Sequence, residues 1–135
     1  MILHLDTSFL VDLIREWARD ADGPASAFLE DHLDDELRTS LFVACELLLG
    51  VERSDRSEQE RRRVEKALAV VPVVLPSPGL APLYGRVLAN LQRRGNAIAT
   101  MDLLIAGTAL VEGAPLVTRN PSHFERVPDL RVLEY

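Results

Sequence analysis

One cysteine, Cys45, stands in a chain of 135 residues. No internal disulfide can form, so core packing alone must hold the fold, and a reducing cytoplasm is its simplest setting. Long apolar runs are also missing. The greasiest stretch, LFVACELLLGV, is too short to span a bilayer and carries Glu46. No signal peptide is legible, because no basic segment opens the chain and Asp6 arrives before an apolar core could form. Positive charge is in deficit, with 15 Lys and Arg against 21 Asp and Glu and a formal net charge of −6. That balance excludes a surface that holds nucleic acid by bulk charge alone, but not a nucleic-acid substrate reached through bound cations. Repeats, low-complexity tracts and linkers are absent, as are GxGxxG, P-loop and GxSxG patterns. His4, His32 and His123 lack zinc-ligand spacing, and His4 reads as a packed strand histidine.

What remains is one domain over 1–135, in which short strands alternate with longer helices. That alternation predicts an α/β fold with a largely parallel sheet. Strands are expected at 2–5, 36–40, 70–75, 115–118 and 131–135, with Pro72 marking an edge position. Helices are expected at 8–18, 24–33, 41–53, 57–69, 80–95 and 100–113. Pro24 opens the second of these, Ser40 caps the third, and Gly95 and Gly113 close the last two. Cys45 reads as a core thiol.

In open parallel sheets, ligands bind beyond the carboxyl ends of the strands, and that rule orders the acids. Asp6 follows the first strand directly. Asp102 sits in the first turn of the last helix. Glu46 lies about one and a half turns into the helix after the second strand, with Arg53 its nearest basic residue along that helix. A carboxylate on an apolar flank is expensive unless something from elsewhere satisfies it. Thr118 and Asn120 fall at the end of the fourth strand, with Arg119 between them. Each residue has a plainer role when taken singly: helix cap for Asp6, macrodipole partner for Asp102, solvated flank for Glu46, turn residues for Thr118 and Asn120, surface ion pair for Arg119. Taken together, three acids near one sheet edge would repel each other, and a hard divalent cation, Mg²⁺ or Mn²⁺, resolves that repulsion.

The segments LDTSFLVDLI, ACELLLG and MDLLIAGTALVEGAPLVTRNPSHFERVPDLRV resemble the PIN-domain nucleases, and within them the VapC-type toxins of toxin–antitoxin pairs. The resemblance implies a three-layer α/β/α sandwich with a parallel five-stranded sheet in the order 3-2-1-4-5. It implies a metal-dependent endoribonuclease in which Asp6, Glu46 and Asp102 are the metal-binding catalytic acids. Ser8 and Thr118 then stand at supporting hydroxyl positions, and Arg119 beside the pocket is a candidate phosphate contact. Relatives commonly carry a fourth acid at the position of Asn120 or near His123. Asn120 can offer only a carbonyl oxygen or hold a water, which argues against a tightly bound second metal. The implied partners are RNA, a cognate antitoxin and a second copy of the chain, with no membrane. Two other readings stay open on the residues alone: a Mg²⁺-dependent phosphohydrolase of a small substrate, and a PIN-fold binding module with weakened catalysis.

Overall fold

The computed structural model describes all residues, 1–135. Its sheet has five strands: β1 (Ile2–Leu5), β2 (Glu36–Ser40), β3 (Val73–Val74), β4 (Leu116–Val117) and β5 (Val132–Leu133). All pairs are parallel and the order is β3-β2-β1-β4-β5. The helices are α1 (Thr7–Ala18), α2 (Pro24–Asp31), α3 (Leu41–Glu52), α4 (Ser57–Val70), α5 (Leu80–Arg93) and α6 (Thr100–Val111), and a 3₁₀ turn covers Pro121–His123. Helices α1 to α4 pack on one another, as do α5 and α6. Right-handed crossovers put the two groups on opposite faces of the sheet. Strand β1 is therefore covered on both sides, and Leu3, His4 and Leu5 are all buried. No helix is long and apolar enough to cross a membrane.

The expected elements all form, and the differences lie at their ends. Helix α4 runs on through Val70, and the N–H of Val71 still bonds the Ala67 carbonyl, so β3 shrinks from the expected 70–75 to two residues. Pro72, which has no N–H, falls between the end of α4 and the start of β3. Ser40 caps α3 through Val43 N–H at 3.2 Å, as its position suggests. Gly95 and Gly113 both adopt positive φ, at 64° and 66°, just past α5 and α6.

Cys45 corrects an expectation: it is exposed. Helix α3 buries Val43, Ala44, Leu47 and Val51, and a residue two positions past Val43 lies about 200° around the helix from it. His4 is buried as expected, but it is not merely packed. Its Nε2 lies 2.8 Å from Glu112 Oε2 at the end of α6, and Arg38 Nη1 donates to the same oxygen at 2.9 Å.

Candidate active site

Parallel strands end on one edge, so whatever follows each strand is delivered to the same rim. Asp6 follows β1, α3 begins at the end of β2, and Thr118 to Asn120 follow β4. The first turn of α6 brings Asp102 to them from the opposite layer. The result is a cavity of about 240 Å³ lined by Asp6, Glu46 and Asp102 together with Ser8, Asn120 and His123. A larger cleft of about 450 Å³ lies beside Trp17 and Lys66. Its Glu16 is already occupied, accepting from the Ala25 and Ser26 N–H groups at the start of α2, at 3.0 and 2.9 Å.

Asp6 is the hub of the small cavity and only 4% exposed. It caps α1 by accepting the Phe9 N–H on Oδ1 at 3.0 Å, so the capping role and the site role coincide. The Ser8 hydroxyl donates to the same oxygen at 2.7 Å, and the Thr118 hydroxyl donates to Oδ2 at 2.6 Å. Each hydroxyl is oriented from behind. Ser8 Oγ accepts the Arg119 N–H and Thr118 Oγ1 accepts the Asn120 N–H, both at 3.0 Å. Three of the carboxylate's roughly four acceptor positions are filled, which leaves one on Oδ2. Burial pushes the Asp6 carboxyl above its ordinary range. The Thr118, Ser8 and Phe9 hydrogen bonds pull it back, and the nearby Asp102 charge adds to the rise.

What satisfies Glu46 comes from elsewhere in the chain, as its surroundings in the sequence require: the Thr7 hydroxyl donates to Oε1 at 2.5 Å. Asp102 faces His123, whose Nδ1 lies 3.4 Å from Oδ2. Ser8 and Asn120 line the cavity, and Thr118 touches it through Asp6. Thr7 and His123 are additions. The signal for Thr7 lies in the DTS triplet: Asp6 and Ser8 turn toward each other, and the residue between them turns to Glu46. His123 had no spacing to mark it, because the 3₁₀ turn at Pro121–His123 is what swings it over Asp102. Arg119 is placed differently from a phosphate contact. Its Nη1 donates to both oxygens of Asp12, at 2.6 and 2.7 Å.

The donors suit a hard divalent cation in kind, since carboxylate, hydroxyl and amide oxygens dominate. They are not a preformed cage: no three of the chain's His, Cys, Asp and Glu side chains already stand in ligating positions. Glu46 leans on Thr7 and Asp102 faces His123. A Mg²⁺-like ion keeps several of its waters, and the cavity's volume suits an ion held partly through water.

Compared with known proteins, the chain matches the PIN domain family over residues 3–130. It is 33% identical over 133 residues to Ribonuclease VapC2 of Rickettsia felis, covering 96% of this chain and 95% of that one. It is 31% identical over 131 residues to Ribonuclease VapC1 of Haemophilus influenzae, with 97% and 96% covered. Its structure superposes on that of VapBC2 from Rickettsia felis bound to a DNA fragment from their promoter with a TM-score of 0.91, at 29% identity over 100% of this chain and 99% of that one.

Proposed function

Because the chain belongs to the PIN-domain family, we propose that it is a ribonuclease toxin that hydrolyses RNA phosphodiesters in the cytoplasm and is held in check by a cognate antitoxin. The observation that carries this reading is the meeting of Asp6, Glu46 and Asp102 on one cavity without a lysine or arginine among its lining residues. Relatives named as ribonucleases at 33% and 31% identity supply the substrate class. The similar chain solved as part of VapBC2 supplies the partner.

The finer reading is that the cavity takes Mg²⁺ or Mn²⁺. Asp6 and Asp102 would hold the ion, directly or through water, with Glu46 completing the set. Once bound, it would supply Lewis-acid polarisation of the phosphoryl oxygen and offset the acids that otherwise repel an RNA backbone. The chain's own groups do the positioning. Ser8 and Thr118 hold both oxygens of Asp6 in one orientation, and Thr7 holds Glu46 where it can order an attacking water. A water nucleophile needs no 2′-hydroxyl, so the products carry 5′-phosphate and 3′-hydroxyl ends. Asn120 brings an amide where a fourth acid would strengthen a second cation site, so one ion is expected. The same reading carries a homodimer, checked by sedimentation of the free protein.

The test is cleavage of total RNA with Mg²⁺ or Mn²⁺, with and without EDTA, by wild type, Asp6→Asn and Asp102→Asn. Activity lost with EDTA and in both variants is the expected result. Cleavage indifferent to all three removes the assignment, and turnover of a phosphomonoester but not RNA replaces it with a small-molecule phosphohydrolase. Coexpression with the protein encoded by an adjoining short reading frame should abolish cleavage.

A further inference from the structure

Beside the cavity lies a second set of charges that the reaction does not use. Arg119 Nη1 chelates Asp12, with 2.6 Å to Oδ1 and 2.7 Å to Oδ2. The hydroxyl of Tyr135 donates to Asp12 Oδ2 at 2.8 Å. That hydroxyl is itself fixed, because the Tyr135 ring packs edge-on against Phe9 with centroids 4.7 Å apart and against Phe28 at 6.3 Å. Burial and the Asp12 charge push the Tyr135 hydroxyl well above its ordinary range, so it stays a donor. The Asp12 side chain is only 18% exposed, while Arg119 is 50% exposed. The three groups come from α1, from the segment after β4, and from the segment after β5.

Arg119 is also closely tied to the site. Its own N–H bonds Ser8 Oγ, and Ser8 bonds Asp6. A side chain as long as arginine's, starting two hydrogen bonds from Asp6, could swing into a cavity holding three carboxylates. A guanidinium is charged at every working pH and pairs readily with carboxylates. Inside that cavity it would neutralise the acids and compete with any cation. The structure shows it turned outward, held by the one carboxylate on its other side.

We propose that Asp12, braced by Tyr135, restrains Arg119 and keeps its guanidinium out of the acidic cavity, so that Asp6, Glu46 and Asp102 stay available to a divalent cation. The inference rests on the cation reading above. Asp12 and Tyr135 are then positioning residues, since neither lines the cavity. Loss of the Asp12 charge leaves three carboxylates as the stronger attractor for the guanidinium, so Coulomb attraction favours its entry.

The experiment is calorimetry with Mn²⁺ on the metal-free protein, without RNA, for wild type, Asp12→Asn, Arg119→Gln, Asp12→Asn/Arg119→Gln and Tyr135→Phe. Expected are affinity weakened about tenfold in Asp12→Asn, by a smaller factor in Tyr135→Phe, and restored to within about twofold of wild type in the double variant. Thermal melts accompany each titration. Restoration of binding in a double variant that melts no higher than Asp12→Asn separates restraint of Arg119 from general loosening of the fold. Equal Mn²⁺ affinity in wild type and Asp12→Asn overturns the inference and leaves the cation reading standing. A double variant as weak as Asp12→Asn also overturns it, because the defect then does not come from a freed Arg119. Wild type without measurable Mn²⁺ binding overturns the cation reading, and the inference falls with it.

Discussion

Thr118→Val removes one oxygen atom from the centre of the site and keeps the side chain's shape. Thr118 is fully buried. Its hydroxyl makes the 2.6 Å bond to Asp6 Oδ2 and accepts the Asn120 N–H at 3.0 Å. A hydrogen bond to a charged group contributes about 1.5–3 kcal/mol, and an N–H left without a partner costs about 1–3 kcal/mol when buried. Asn120 is only half-buried, so water recovers part of the second loss. The expected destabilisation is therefore about 2–4 kcal/mol at neutral pH, or roughly 8 °C or more in melting temperature for a chain of this size. Its pH dependence has a definite sign. Burial already holds the Asp6 carboxyl above its ordinary range, and Thr118 is the strongest of the groups pulling it back. Removing that donor weakens the charged form more than the neutral one, so the carboxyl rises further. The deficit relative to wild type should be largest where Asp6 is ionised. It should shrink as acid protonates Asp6, leaving the Asn120 contribution and the weaker bond to the neutral acid. Thermal melts in EDTA across the acidic to neutral range read the effect. A variant that melts with wild type, or whose deficit grows as the pH falls, refutes the claim that Thr118 stabilises an ionised Asp6.

Three other outcomes are expected of the same fold. Burial opposes the Glu112 charge, but the hydrogen bonds and charges of His4 and Arg38 outweigh it and hold this carboxyl below its usual range. Its contribution is therefore present above the ordinary carboxylate range and lost as pH falls through the lowered value, so Glu112→Gln should melt below wild type at neutral pH and converge with it in acid. Phe9 is fully buried with its ring against Phe28 and Tyr135, and Phe9→Ala should lower the unfolding free energy measured in urea by about 3–5 kcal/mol. Cys45 is exposed on α3, so the native protein should react with a thiol reagent without denaturant, and a thiol that titrates only after unfolding would contradict the orientation of α3.

Much of the fold was legible because its signals are local. Apolar residues at helical spacing, a serine before α3 and glycines after α5 and α6 each act within a few residues, and all of them form the elements they suggest. The misread lengths have the opposite character. Val70 and Val71 are β-branched and favour a strand, yet they close α4, because Ala67 and Val64 are already buried and carry the helix forward. The orientation of Cys45 was hidden for a related reason. Helix α3 is apolar nearly all round, so its pattern does not say which face is covered, and only the packing of Val43, Leu47 and Val51 decides it.

The site divides along the same line. Asp6 with Ser8 is visible in three consecutive letters, while Thr118 becomes their partner only through the sheet. Strands β1 and β4 pair Leu5 with Val117, and Asp6 N–H bonds the Val117 carbonyl at 3.1 Å, so Thr118, the residue just after β4, arrives beside Asp6. A slip of one residue would turn Thr118 to the other face and put the Val117 side chain against the carboxylate. With only two residues in β4, few hydrogen bonds set this register. The pairing is reinforced instead by side chains that span it, Thr118 to Asp6 and Ser8 to the Arg119 N–H. The contacts that orient the first acid are therefore also the contacts that align the strand. A substitution at Ser8 or Thr118 should accordingly move stability and cleavage together, whereas one at Glu46 or Asp102, which stand on helices and take no part in strand pairing, should affect cleavage with little loss of fold.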